Sequence, residues 1–380
     1  MKVTHSSKIE HNKSKKGTDL ELRSAAYFQA HGFLIRRDVM LSVSAGTSDI
    51  TDIDMLGIRF NIPLSEERLI ADCKERKKSK PFERILWTTG LSVFCKAHRS
   101  CIVVPHAPWQ AREFASKVDV EVLDEEQMDA YLNSVKGSFI SFSEADENIS
   151  YRVNYAKKQI GDKYKEVIRE DLKLRQMLVV GKPLTNLNRI IVALSNLYKL
   201  PTPTTEYMSW LRRYLCYNAA VTASVMLARF SAESKWTSES DWKDHAKKTL
   251  TYGDVPPKKA QQLARLALEQ TFYEGLPTPK YADELIMALQ AMISNPSVAA
   301  VVPYTVDFLL LGRVLGGMSD EYIPPVLLGT FENSTKMAKR IMSVIAYAAE
   351  IPSDVWEVGK RNSSGEKHAT ECQTVLPIKD

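Results

Sequence analysis

The segment Leu69-Ile70-Ala71-Asp72-Cys73-Lys74 ends an apolar run in Asp-x-Lys, and an earlier apolar run carries an acid of its own, Asp54. Two carboxylates at the ends of neighbouring strands, with a lysine beside them, form the set that metal-dependent cleavage of a phosphodiester requires. Such a substrate repels a hydroxide nucleophile and gains charge in the transition state, and a hard divalent cation relieves both difficulties. Magnesium takes one or two carboxylates and keeps several waters. Once bound it can activate water, polarise a phosphoryl oxygen and hold the reacting groups together. Strand side chains at i and i+2 share a face, so Lys74 reaches the phosphate or water held beside Asp72. By the same period Asp52 and Asp54 share one face, with Ile53 and Met55 on the other. Asp54 lies deeper in the apolar stretch and is the expected metal ligand, with Asp52 an outer or second-metal candidate. An isolated Asp-x-Lys recurs by chance and is more often a solvent-facing strand end. The elements around it are what give it weight.

Residues 19–31 place Leu22, Ala25, Ala26 and Phe28 at helical spacing, and Gly32 follows as a C-terminal stop. Strands are expected over 33–39, 50–60 and 67–74. A helix is expected over 82–97 with Ile85, Leu86, Thr89 and Val93 on its inner side. A buried strand at 100–104, a short helix at 109–116 and a strand at 118–123 come next. Asp124 then caps a last helix through Leu132, with Gln127 at the capping-box position. Strands bounded by helices indicate an α/β domain with a mixed central sheet flanked by helices.

This order resembles the restriction-endonuclease-like superfamily, known by its PD-(D/E)XK signature, and is most similar to its Mrr-like and resolvase-like branches, over residues 17–135. Glu21, in Glu21-x-x-x-Ala25-Ala26-Tyr27-Phe28-x-x-x-Gly32-Phe33, matches the family's first-helix glutamate. Thr51-Asp52-Ile53-Asp54-Met55-Leu56 is similar to its acid-Ile-Asp-aliphatic strand, and Asp72-Cys73-Lys74 to the half-motif that names it. The proline before the strand aspartate is absent. The resemblance implies that Asp54, Asp72 and the carbonyl of Cys73 bind Mg2+, with Mn2+ as a substitute. It implies also that Lys74 positions or deprotonates water and that Glu21 supports the metal's ligands, directly or through a water. The implied activity is a DNA endonuclease of the restriction or antiphage-defence kind, working as a homodimer or with a partner protein that supplies ATPase or targeting activity. A structure-specific repair or recombination nuclease, an RNase of the same fold, and a catalytically silent nucleic-acid-binding or assembly module are the alternatives.

The chain has 380 residues and 51 Lys+Arg against 46 Asp+Glu, a net charge of +5. That balance is only mildly basic, so the distribution of charge matters more than its sum. Lys2, Lys8, Lys13, Lys15 and Lys16 precede the first helix, while Arg76, Lys77, Lys78 and Lys80 follow the Asp-x-Lys and are the expected phosphate contacts. Five cysteines without a CxxC pair indicate neither a zinc site nor a disulfide framework. No signal peptide is recognisable, and Val298 to Gly316 carries Pro303, Asp307 and Arg313. A cytoplasmic protein without a membrane span is the expectation. No Gly-rich phosphate loop followed by lysine is present. The expected organisation is a basic tail (1–16), the nuclease domain (17–135), a connector (136–154) with a short strand at 138–142, an all-α domain (155–355) and a C-terminal tail (356–380). Helices are expected at 155–178, 185–199, 204–230, 239–251, 257–273, 281–293, 304–315 and 333–349, and the Tyr207, Trp210, Tyr214 and Tyr217 stripe as core.

Overall fold

The computed structural model describes residues 19–42, 49–74, 80–135, 153, 163–199, 206–256, 258–260, 262, 278–315, 325–327 and 329–356. The basic residues before the first helix, Arg76, Lys77 and Lys78, and the strand expected at 138–142 lie outside them, as does most of the expected connector and of the helix at 257–273. Among the described residues five strands form one mixed sheet in chain order: β1 (Leu34–Ser42), β2 (Asp49–Asn61), β3 (Ser65–Cys73), β4 (Arg99–Val104) and β5 (Val120–Asp124). The first three pair antiparallel, and β3, β4 and β5 pair parallel. Parallel neighbours need a crossover. Helix α2 (Pro81–Cys95) links β3 to β4, and α3 (Trp109–Ser116) links β4 to β5. An α/β sheet followed by a helical region is therefore the observed layout.

Helix α1 (19–30) buries Leu22, Ala25, Ala26 and Phe28, and Gly32, at φ +82°, ends it. α4 (Glu125–Ser134) lies beside α1, where Arg23 meets Asp129 at 3.0 Å; the Asp124 carboxylate caps α4 by accepting from the Gln127 amide at 3.0 Å. α2 turns a different side inward from the one its spacing suggests. Ile85, Thr88 and Cys95 are buried, whereas Leu86 and Val93 are 57% and 74% exposed. The helix is apolar nearly all round, so spacing selects no single stripe. Ile85 joins Ile102, Val104, Ala111, Ala115 and Val120 in a small core of their own, and that packing fixes the rotation.

The helical layer comprises α5 (Lys163–Met177), α6 (Pro183–Lys199), α7 (Glu206–Ser234), α8 (Glu239–Tyr252), α9 (Ala282–Ser294), α10 (Pro296–Leu315) and α11 (Phe331–Ala348). α7 is its axis: Tyr214 and Tyr217 are buried, and Trp210 stacks on Tyr214 at 5.4 Å. α10 begins at Pro296 rather than 304 and keeps Pro303 inside, forgoing one backbone hydrogen bond. Among the described residues no single helix is long and apolar enough to cross a membrane. The packed chain reaches Trp356, whose carbonyl accepts from Tyr217 Oη at 2.7 Å.

One hydrophobic cluster runs from the sheet into these helices, and buried charge pairs lock the two together. Arg36 on β1 meets Asp307 on α10 at 2.7 Å. Glu66 on β3 receives Arg229 of α7 at 2.8 and 2.5 Å and Arg68 at 3.1 Å. Burial alone would push the Glu66 carboxyl up, but Arg229 and Arg68 override it and hold it below the usual 4.5. Its contribution to stability is thus present above pH 4.5 and lost as pH falls through the lowered value. Truncating one member of a buried pair leaves the other uncompensated and costs about 3–5 kcal/mol. Glu66→Ala is expected to lower the urea-unfolding free energy by that order at pH 7, followed by circular dichroism. A change under about 0.5 kcal/mol, the ordinary range for a surface site, would show that the pair does not hold the layers together.

Candidate active site

Strand register brings the acids together. Arg37 faces Met55 and Val39 faces Ile53, which sets Asp38 opposite Asp54. The β2–β3 ladder ends with Met55 facing Ala71, so the next residue on each strand is Asp54 and Asp72. Asp38, Asp54 and Asp72 form a row across three strands, and regular pairing lapses along that row. Asp38 has φ +52°, a left-handed conformation that aspartate adopts more readily than most residues. Asp54 Oδ2 accepts from the Cys73 amide at 2.9 Å, so a side chain takes the place of a strand partner.

Lys74 donates its backbone N–H to the Val103 carbonyl at 2.9 Å, which carries the β3–β4 ladder one step further. Its Nζ then lies 3.0 Å from Asp54 Oδ2 and 3.8 Å from Asp72 Oδ1. Arg84, in the first turn of α2, grips Asp72 with two hydrogen bonds: Nε to Oδ2 at 2.7 Å and Nη2 to Oδ1. Asp72 is buried, Asp54 is mostly shielded, and Lys74 is half-buried.

Each charge is shifted by its neighbours. Burial raises the Asp54 carboxyl above the usual 3.8, and repulsion from Asp72 adds to it; Lys74 and the Cys73 amide pull back without prevailing. Burial would lower the Lys74 ammonium, but Asp54 and Asp72 override it and raise it above 10.5. Lys74 is therefore a held cation at neutral pH, suited to orienting a water or phosphate oxygen and not to taking a proton. The hydrogen bond that Arg84 donates to Asp72 is the largest influence on its guanidinium, which is pushed further up in the field of Asp54 and Asp52 as well.

The remaining expected residues take separate places. Glu21 on α1 pairs with Arg37 at 2.6 Å; burial raises its carboxyl, Arg37 opposes this, and Asp38 and Asp54 push it further up. It belongs to the same electrostatic cluster without a hydrogen bond to either central aspartate in the described set. Asp52 is exposed on β2, opposite Met40. The Cys73 side chain lies in the core, where burial raises its thiol far above the ordinary range, so it offers the site its backbone only. Lys80 precedes α2 and pairs with Glu83 at 2.6 Å on the surface.

Two members escape the sequence pattern, Arg84 and Asp38. Arg84 reaches Asp72 only because α2 folds back over the sheet, which no local spacing announces. Asp38 is set opposite Asp54 by the β1–β2 register, which no local spacing announces either.

Comparison with protein-family models, curated proteins and solved structures returns no match.

Among the described residues no three His, Cys, Asp or Glu side chains surround a common metal position. The Asp54–Asp72 pair meets the smaller requirement of magnesium, one or two carboxylates with waters completing the shell. Mutual repulsion in a buried setting is also what a cation would relieve. A raised carboxyl favours folding below its usual value and loses that benefit as pH rises through the raised one, so ionised Asp54 works against the fold at neutral pH. Asp54→Asn is expected to raise the thermal midpoint at pH 7, with the gain shrinking as pH falls through the raised value and changing no further below the usual 3.8. A variant that melts lower than wild type at pH 7 would show that the Lys74 and amide contacts outweigh the repulsion.

Proposed function

We propose that this chain is a magnesium-dependent endonuclease of restriction-endonuclease-like fold that hydrolyses DNA phosphodiester bonds, with manganese able to substitute. The observation that carries the reading is the convergence of Asp54 and Asp72 on the Lys74 ammonium, at 3.0 and 3.8 Å, where the β2–β3 ladder ends. A lysine between two acids, one on each strand, is the arrangement that the motif resemblance implies. Asp54, Asp72 and the Cys73 carbonyl would hold the ion. When bound, it supplies a water of lowered pKa and polarises the phosphoryl oxygen.

The chain's own groups do the rest. Lys74, fixed as a cation, orients the attacking water against the phosphorus and takes part of the developing negative charge. Arg84 occupies two of roughly four lone-pair positions on Asp72 and so tunes how strongly that acid takes a cation. Glu21, through Arg37, keeps a further negative charge near Asp54 without entering the contact. Lys80, beside Arg76, Lys77 and Lys78 in sequence, is assigned to contact the phosphate backbone. The helical layer reaches this machinery through Arg175, which donates to the Arg37 carbonyl at 2.8 Å. We assign it a regulatory or targeting role in restriction or antiphage defence.

One observation favours a second reading. Lys74 and Arg84 already neutralise the two acids, which suits a silent nucleic-acid-binding or assembly module as well. Plasmid, linear duplex, branched DNA, single-stranded DNA and RNA incubated with Mg2+, Mn2+ or EDTA distinguish the two. Metal-dependent cutting that Asp72→Ala and Lys74→Ala each abolish is the expected result. Metal-independent or undiminished cutting by either variant would overturn the assignment, and DNA binding without cutting would favour the module. Mg2+ is further expected to raise the thermal midpoint of wild type and not that of Asp72→Ala, because an ion that binds only the folded state stabilises it. Arg84→Gln should bind Mn2+ several-fold more tightly by titration calorimetry while cutting more slowly. Unchanged affinity would mean that Arg84 does not compete for Asp72.

A further inference from the structure

The outward side of α2 is the feature that the site does not use. Phe82, Leu86, Trp87, Val93 and Phe94 are 45%, 57%, 47%, 74% and 55% exposed. At 3.6 residues per turn all five lie within about 80° of Gly90 around the helix axis, so they form one stripe. A surface helix normally shows the opposite arrangement, with its apolar stripe inward and its charges outward.

The stripe is symmetric along the chain. Trp87 and Val93 stand three residues to either side of Gly90, and Leu86 and Phe94 stand four to either side. Nothing lies within 4 Å of a Cβ built on Gly90, so the middle of the stripe is a flat spot where another backbone can come close. A helix with this pattern matches an antiparallel copy of itself: Trp87 meets Phe94 of the second copy, and Leu86 meets its Val93. An interface in which i contacts j and j contacts i is the isologous contact of a two-fold dimer.

The area is of the right size. At 150–250 Å² for a whole aromatic side chain, the exposed parts of these five residues come to roughly 500 Å². A standard interface buries about 800 Å² on each partner, of which about 60% is apolar, or roughly 500 Å².

We propose that this chain forms a two-fold dimer through antiparallel packing of α2 against α2 of a second copy, centred on Gly90. The dimer does not rest on the nuclease reading, since a molar mass and a cutting assay fail independently. If both hold, two sites share one axis. Arg84 precedes Gly90 by six residues, so the two Arg84 positions are about 18 Å apart along the helices at 1.5 Å per residue. That spacing falls within one turn of a DNA duplex, about 34 Å.

The test uses the full chain. Sedimentation equilibrium of wild type should give twice the chain mass at micromolar concentration, and Val93→Glu should give the chain mass with an unchanged circular dichroism spectrum. Gly90→Cys, otherwise wild type, should form a disulfide-linked dimer on mild oxidation, whereas Lys80→Cys, off the axis, should not. A wild-type monomer, with the stripe covered by another part of its own chain, would overturn the proposal. So would a dimer that survives Val93→Glu and leaves Gly90→Cys unlinked, because its interface would lie elsewhere.

Discussion

Three aspartates on adjacent strands cannot stand in one row without repelling each other, and much of the structure answers that constraint. A continuous ladder would press Asp38, Asp54 and Asp72 together at strand-pair spacing, where like charges are destabilising. Pairing instead opens along the row. β1 takes a left-handed step at Asp38, β2 and β3 part after Met55 and Ala71, and the freed Cys73 amide turns to the Asp54 carboxylate. Lys74 and Arg84 supply the countercharge from opposite sides, one from the strand itself and the other from the helix that follows. Such a site is less stable than an apolar one, and groups displaced from their ordinary ionisation in this way collect where chemistry is done.

The helical layer matters to the site because it fixes the strands that carry the acids. Arg36 and Glu66 lie on the outer two strands of the antiparallel trio, and each is tied to a helix by a buried ion pair. Lys235 adds a third tie, donating to the Leu64 carbonyl at the β2–β3 turn at 3.0 Å. The acid row is therefore braced two residues away on β1 and from the far end of β3. Arg175 also ties α5 to the Arg37 carbonyl at 2.8 Å, beside the Arg37–Glu21 pair.

The legible part of the fold rests on short-range regularities. Period two along residues 50–58 and 69–74 separates acids from core, and the Asp124–Gln127 pair marks the start of α4 from three residues of sequence. Gly32 marks the end of α1 just as locally. The parts hidden from the sequence depend on distant contacts. Arg84 meets Asp72 only through a helix that folds back, and Glu66 meets Arg229 across 163 residues. α2 is the sharpest case. Its apolar residues point in nearly every direction, so Leu86 and Val93 were as plausible inward as Ile85 and Thr88, and only the packing of β4 and α3 decides between them.

The same distance between Glu66 and Arg229 shapes how the chain is made. At synthesis rates of about 5–20 residues per second, the strands precede α7 by roughly 10–30 s. For that interval Glu66 and Arg68 sit on a sheet face whose cover does not yet exist. Their charges keep water on the bare face. When α7 arrives, Arg229 docks on an acid that is already ionised, and the guard becomes the latch.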